Sequence, residues 1–353
     1  MAVKSSRRAG AAPTLSDVAK AAGVSPMTVS RVINRDANVS APTRDRVEAA
    51  VAALNYAPNS AARLLAGAAR TRIALVYGNP SAAYLGEVLL GALAMASRSD
   101  VQLLLENGDD GAGRPDLAGQ LIARGLDGVI LPPPYCDMAG LVADLLAAGL
   151  PIALIASGAP ADGCFAVTID DVAAAVDMSR HLIGLGHRRI GFIVGNRNQT
   201  ASAKRLEGHR LALAEAGLAQ DEALIVQGDF SYRSGLAAAE QLLDLARPPS
   251  AIFASNDDMA AAAVAAAHRR HIDVPAALSV CGFDDTPLAS TISPDLTTVR
   301  QPVAEMAQAA VELLTAAARR RRLGQAAPGE RRVFRHEIVR RQSDAPPRPD
   351  TPT

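Results

Sequence analysis

A small all-α headpiece followed by a two-subdomain, doubly wound α/β body is the fold class this sequence predicts, and three observations predict it. Helical periodicity dominates the N-terminal segment. From Arg72 onward, short apolar strands alternate with Ala/Leu-rich stretches of helix length. Those βα units fall into two similar half-chains, which argues for two parallel sheets with a cleft between them. At 353 residues the chain exceeds one ordinary core, so two or three domains are expected.

In the headpiece, Thr14 opens the first helix with Asp17 three positions later, a capping pattern, and Leu15, Val18, Ala19 and Ala22 share one face. Gly23 ends that helix. Ser25 caps a second, whose first position is Pro26, where a missing N–H costs nothing. Val29, Val32 and Ile33 form its buried stripe. Ser40 caps a third helix carrying Val47, Ala50, Val51 and Leu54 inward as far as Asn55. The following Ser60–Ala66 stretch is too short to be a stable helix alone in water.

In the body, strands are expected at Ile73–Tyr77, Val101–Leu105, Gly128–Leu131, Ile152–Ile155 and Ala166–Ile169. A second set is expected at Arg189–Val194, Ala223–Gln227, Ala251–Ala254 and Ser279–Gly282. A later strand, Val333–Val339, follows the arginine run Arg319–Arg322. That run reads either as a second DNA contact or as a solvated helix end, and the second reading is preferred.

Hydrophobic residues make up 49% and charged residues 20%, a globular balance. Net charge is zero but unevenly spread: residues 1–72 hold eleven basic side chains against four acids, a surplus of seven that the remainder offsets. A basic head on an acidic body suggests a polyanion-binding module joined to one that avoids polyanions. Cys136, Cys164 and Cys281 are odd in number and widely spaced, which fits neither disulfides nor metal-ligand spacing, so a reducing compartment is expected. Met1–Thr14 lacks the apolar stretch of a signal peptide, and no run is apolar enough to span a bilayer. A cytoplasmic, nucleoid-associated location without membrane contact is the expectation. No Gly-rich phosphate loop, His/Glu metal pair or Gly-x-Ser-x-Gly elbow appears, so neither an enzyme nor a cofactor or metal is expected. His181, His187, His209, His268, His271 and His336 read as surface residues.

A helix, the Gly23 turn and a second helix have the spacing of a helix-turn-helix, whose second helix enters a major groove. Ser25, Pro26, Met27 and Thr28 open that helix, with Ser30 and Arg31 farther along. Small polar residues approach phosphates and base edges, and arginine pairs with guanine. A helical bundle used for protein contacts has the same pattern. Longer motifs separate the two: Thr14–Asn34, Val39–Val47, Leu54–Asn59 and Ala61–Leu65 resemble, without a gap, the headpiece of the lactose/galactose repressor family. The likeness continues to about Arg341. It implies DNA contacts by Thr14, Ser25, Pro26, Met27, Thr28, Ser30, Arg31 and Asn34. Pro26 and Met27 stand at the family's base-reading pair, and Arg31 at its groove arginine. Neither Pro26 nor Met27 can make bidentate hydrogen bonds, though Met27 can touch a thymine methyl. Asn59–Ala66 resembles the hinge helix that folds when two copies meet in the minor groove, with Leu65 as the wedge and Ala62 near the groove floor. Read alone, Leu65 is a core leucine.

By the same resemblance the body has a type I periplasmic-binding-protein fold. Arg205 matches the family's ligand-clamping arginine and Phe230 an aromatic that stacks on the ligand. Asn256 and Asp284 each follow an expected strand, where cleft ligands meet an α/β sheet. Asp171 is a further ligand-binding candidate, and Tyr84 closes the other side of the cleft. An arginine, an amide and carboxylates suit neighbouring hydroxyls, hence a sugar or related polyol. Each residue has a plainer reading: a surface salt bridge for Arg205, helix caps for Asp284 and Asp171, core for Phe230. For Asp257 and Asp285 capping is preferred.

The resulting expectation is a transcription regulator, acting as a repressor relieved by ligand, that binds pseudo-palindromic double-stranded operator DNA as a homodimer. The alternative is a sugar-binding receptor or a corepressor-dependent regulator of a non-sugar metabolite. Without a leucine heptad after Val339, a dimer is expected and not a tetramer. The expected organisation is a disordered basic arm at 1–13, headpiece 14–57, hinge and linker 58–72, body 73–343 and a disordered tail at 344–353. Within the body, 73–186 plus 300–328 form the first subdomain and 187–299 plus 329–343 the second.

Overall fold

The computed structural model describes residues 13–33, 39–54, 56, 70–108 and 116–348. The chain divides into two units, Met1–Arg70 and Thr71–Thr353. Nearly all of the expected basic arm and most of the expected hinge lie outside the described residues.

The first unit contains α1 (Leu15–Ala22), α2 (Pro26–Ile33) and α3 (Ala41–Ala53). Thr14 closes a capping box: Asp17 N–H donates to Thr14 Oγ1 at 3.4 Å and Thr14 N–H to Asp17 Oδ2 at 3.0 Å. Gly23 takes φ 65°, left-handed backbone in which a Cβ would be strained. Thr28 N–H donates to Ser25 Oγ at 3.1 Å, which fixes the start of α2. Ser40 departs from expectation, because its hydroxyl donates to Thr43 Oγ1 and caps no backbone N–H. Val18, Ala19, Val29, Val32, Val47 and Tyr56 form the shared core.

The second unit holds two six-stranded sheets. The first has the order β11-β5-β4-β3-β1-β2, with all neighbours parallel. Its strands are β1 (Thr71–Tyr77), β2 (Val101–Asn107), β3 (Gly128–Leu131), β4 (Ile152–Ile155), β5 (Phe165–Thr168) and β11 (Arg331–Val333). The second has the order β12-β10-β9-β8-β6-β7, parallel except where β12 meets β10. It is built from β6 (Ile190–Val194), β7 (Ile225–Gln227), β8 (Ala251–Ala254), β9 (Ser279–Asp284), β10 (Thr297–Arg300) and β12 (Glu337–Val339). Central strands such as β3, β4 and β8 are buried throughout, which is why they read as unbroken apolar runs. Helices α4 (Ala82–Arg98), α5 (Leu117–Ala123), α6 (Ala139–Ala147) and α11 (Val303–Arg322) accompany the first sheet. Helices α7 (Asp171–Gly184), α8 (Thr200–Glu215), α9 (Tyr232–Leu243) and α10 (Asp257–Arg269) accompany the second.

Several expected boundaries move. α7 packs on α8 and touches β10 and β12, so the first subdomain ends before Asp171 and not at 186. β10 was not expected as a strand. The Val333–Val339 run splits between the sheets, since β11 pairs with β5 and β12 with β10. The chain thus crosses between subdomains after β5, after β10, and between β11 and β12. Asp344 and Ala345, assigned to a disordered tail, are held: Asp344 Oδ2 lies 2.7 Å from His181 Nε2, and Ala345 N–H donates to Ser279 Oγ at 3.0 Å. Two histidines are interior and not at the surface. His187 Nδ1 lies 2.9 Å from Ser250 Oγ. His209 stacks on Phe192 with ring centroids 4.8 Å apart, and burial pulls its pKa down to about 3, so it stands neutral.

Candidate functional site

On the headpiece, the apolar stripe of α2 faces the core, which leaves Ser25, Pro26, Met27 and Arg31 on the solvent side and Thr28 and Ser30 half-buried. Met27 is 67% exposed, far more than a packing methionine would be. The exposed start of a short second helix is the surface a helix-turn-helix offers to base edges. Thr14 is committed to its capping box. Asn34, Asn59, Ala62 and Leu65 lie outside the described residues.

In the body, Tyr84, Arg205, Phe230, Asn256 and Asp284 line one cleft between the subdomains. Sequence reasoning missed Asn79, Ser81, Pro133, Ala156, Gln199 and Ala201, which also line it. Most of these follow the C-terminal end of a strand: Asn79 after β1, Pro133 after β3, Ala156 after β4 and Gln199 after β6. The rule that α/β sheets bind ligands at those ends was the signal available for finding them.

Arg205 organises the cleft from α8. Its Nε donates to Asp171 Oδ1 at 2.8 Å and its Nη1 to the Ser255 carbonyl at 2.6 Å, with Asp284 Oδ1 at 3.7 Å. Its guanidinium carbon lies 3.6 Å from the Phe283 ring centroid. Arg205 is therefore no surface salt-bridge partner, being 4% exposed. Asp171 is not among the cleft-lining residues. It holds Arg205 from behind, and α7 is capped by Asp170. Burial pushes both Asp171 and Asp284 above the usual carboxylate range, against the lowering pull of Arg205. Gln301, which sequence reasoning also missed, donates to Asp284 Oδ1 at 2.6 Å from the crossover after β10.

The remaining groups are set by backbone and caps. Asn256 is the N-cap of α10, accepting from Met259 N–H at 3.0 Å while donating to the Phe230 carbonyl at 2.9 Å. Asp257, expected to cap, instead accepts from Thr286 N–H and Oγ1 and from Thr298 Oγ1. Asp285, also expected to cap, pairs with Arg300 and Arg341. Phe230, Asp284 and Ala156 have φ of 74°, 114° and 57°, so three cleft residues sit in sparsely populated backbone conformations. Gly195 lies against the Phe230 ring so closely that a Cβ would overlap it. Tyr84 Oη is buried without a hydrogen-bond partner among the described residues, and burial raises its pKa.

The two walls already touch. Ser81 Oγ donates to Asp258 Oδ2 at 2.5 Å at one edge. At another, Asp137 accepts from Thr200 N–H and Oγ1, each at 2.9 Å, and Gly158 N–H donates to Thr200 Oγ1 at 2.7 Å. Such a cleft can enclose a small polar molecule and register its presence as a change in subdomain angle. Among the described residues no group of His, Cys, Asp and Glu could hold a metal ion, and no helix is long and apolar enough to cross a membrane.

Comparison with known proteins gives the family. Residues 14–59 match the model described as bacterial regulatory proteins, lacI family, and residues 179–343 match a periplasmic binding protein-like domain. The HTH-type transcriptional regulator DegA of Bacillus subtilis is 38% identical over 94% of this chain and 98% of its own. The ribose operon repressor of Escherichia coli is 34% identical over 85% of this chain and 92% of its own. Among solved structures, a complex of transcriptional regulator CelR with cellobiose aligns with a TM-score of 0.71 at 33% identity, covering 94% of this chain and 99% of that one. The lac repressor dimer bound to operator and the anti-inducer ONPF aligns with a TM-score of 0.70 at 29% identity, again over 94% and 99%.

Proposed function

The chain belongs to the lacI family of bacterial regulatory proteins and is a DNA-binding transcription regulator, and from that premise we propose that it is a homodimeric repressor released from its operator by a carbohydrate. In this reading α2 enters the major groove, with Arg31 on a guanine edge and Met27 against a thymine methyl. Arg205, Asn256 and Asp284 hold the hydroxyls of a sugar, and Phe230 lies along an apolar face of its ring.

The observation that carries the effector class is the charge state of the cleft. Among the described residues its single lining cation, Arg205, is already engaged by Asp171, the Ser255 carbonyl and Asp284. The other polar lining groups are amides, hydroxyls and one carboxyl, a set that suits a neutral polyol and opposes a phosphate or carboxylate. The likeness to the CelR–cellobiose complex and to the ribose operon repressor supports the same class.

A thermal-shift screen of the purified chain against monosaccharides, disaccharides, polyols and nucleobases tests this. A ligand bound to the folded state at a hundred times its Kd stabilises by about 2.7 kcal/mol. A sugar should raise the midpoint, and Arg205→Ala should abolish the shift. A response confined to nucleobases or phosphorylated compounds would overturn the carbohydrate reading.

A further inference from the structure

The arginine run that ends α11 has an assignment the cleft and the headpiece do not use. Arg319, Arg320, Arg321 and Arg322 are all exposed. Arg322 pairs with Asp127 at 3.3 Å. Arg319, Arg320 and Arg321 have no ion-pair or hydrogen-bond partner for their side chains among the described residues. They are not needed to cap the helix either. Leu323 N–H donates to the Arg319 and Arg320 carbonyls, Gly324 N–H to the Arg321 carbonyl and Gln325 N–H to the Arg320 carbonyl. Consecutive residues on a helix are about 100° apart, so these side chains fan round the axis and form no stripe against the body.

Their location gives the run a meaning. Arg72, the second residue of the body, accepts at its carbonyl from Asp127 N–H and donates through its own N–H to Asp127 Oδ2, both at 2.8 Å. Asp127 is the residue that also holds Arg322. The arginine end of α11 is therefore the end of the body at which the chain arrives from its DNA-binding unit. Arg98 closes α4 three residues before β2, whose first residue Val101 pairs with Thr71, so it lies at the same end. The acid at this end that holds Arg322, Asp127, is also engaged by the Arg72 N–H. Beyond residue 72 the chain carries a surplus of acids, so this end is locally cationic in a body of opposite sign. Fully extended, the segment from Tyr56 to Thr71 spans at most about 50 Å.

We propose that Arg319, Arg320 and Arg321 form a second, sequence-independent DNA contact, binding phosphates of the duplex that flanks the operator. This rests on the headpiece being the specific DNA reader. Each arginine that neutralises a phosphate releases counterions, so its loss flattens the salt dependence of binding without changing which sequence is preferred.

The test uses the full chain and a duplex that this chain itself enriches from a randomised pool, made once with long flanks and once trimmed to the enriched sequence. Replacing all three arginines by glutamine should weaken binding to the long duplex and lower the slope of log affinity against log salt by about 2.7 per protomer, about 5.4 for the homodimer, at about 0.9 for each lost phosphate contact. The trimmed duplex should bind both proteins alike. Replacing the three by lysine should restore most of the slope, because the charge is kept. An unchanged slope on the long duplex would overturn the proposal, as would an equal loss on both duplexes. Failure to enrich any sequence would contradict the specific reader instead, and the slope would then be read on long unselected duplex, where the same flattening is expected.

Discussion

Replacing Asp171 by alanine separates what holds the cleft together from what it binds. The Arg205–Asp171 hydrogen bond is 2.8 Å long, and the two side chains are 5% and 3% exposed. Deleting one partner of a buried ion pair costs about 3–5 kcal/mol, because the other charge is left without compensation. Here the Ser255 carbonyl at 2.6 Å and Asp284 at 3.7 Å still face the guanidinium, so the lower end, about 3 kcal/mol, is expected. For a unit of this size each kcal/mol moves the midpoint by about 2–4 °C, which gives a fall of about 6–12 °C. Thermal and urea unfolding followed by circular dichroism read both quantities. The double variant Arg205→Met with Asp171→Leu should return to within about 1 kcal/mol of the parent, since apolar replacement of a buried pair is often neutral. Asp284, pushed up by burial, can then stand protonated beside Gln301. That double variant should nevertheless show no effector shift. An unchanged midpoint for Asp171→Ala would refute the reasoning that Asp171 compensates a buried charge, and no recovery in the double variant would refute the view that Arg205 is buried for the ligand and not for the fold.

Three further outcomes are expected. Arg31→Ala should lower discrimination between the enriched duplex and a scrambled one by about 1–3 kcal/mol, measured by competition. Thr14→Ala should cost about 1 kcal/mol of headpiece stability, because α1 has eight residues and depends on its capping box; headpiece-specific hydrogen exchange would report it. Burial pushes Asp257 up to about 7, so the folded state holds a proton that the unfolded chain releases. The stability this gives is full below the ordinary carboxylate value near 4 and is lost as pH rises through about 7. Asp257→Asn should remove that loss, making stability flatter between those limits by up to about 4 kcal/mol, and identical pH profiles for the two proteins would contradict the assignment.

The architecture was largely legible in the chain, and the exceptions have physical causes. Buried parallel strands such as β3, β4 and β8 announce themselves because both faces must be apolar. β10 does not, since Thr297 and Thr298 are buried polar residues whose hydroxyls bond to Asp344 and Asp257. Those partners come from distant parts of the chain. The split of 333–339 was invisible because no Gly or Pro interrupts the run where it changes sheet. His187 and His209 stand next to arginines in sequence, which hid that each is bonded to an interior serine. At the cleft, motif matching found four of the six lining residues carried by the second subdomain and only Tyr84 of the five carried by the first, whose contribution is made largely by small groups such as Ser81 and Ala156. Asp171 was chosen for the right neighbourhood. Only the three-dimensional arrangement distinguishes a residue that meets the cleft from one that holds Arg205 in place.

The central claim is that occupancy of the cleft controls the grip on DNA. Fluorescence anisotropy of the enriched duplex, titrated with the full chain in the presence and absence of the sugar found by thermal shift, tests it most directly. A coupling of about 1–3 kcal/mol, or roughly 5- to 150-fold weaker DNA binding with sugar, is the expected result, with no change for Arg205→Ala. Equal affinity with and without a sugar that demonstrably binds the cleft would contradict the account.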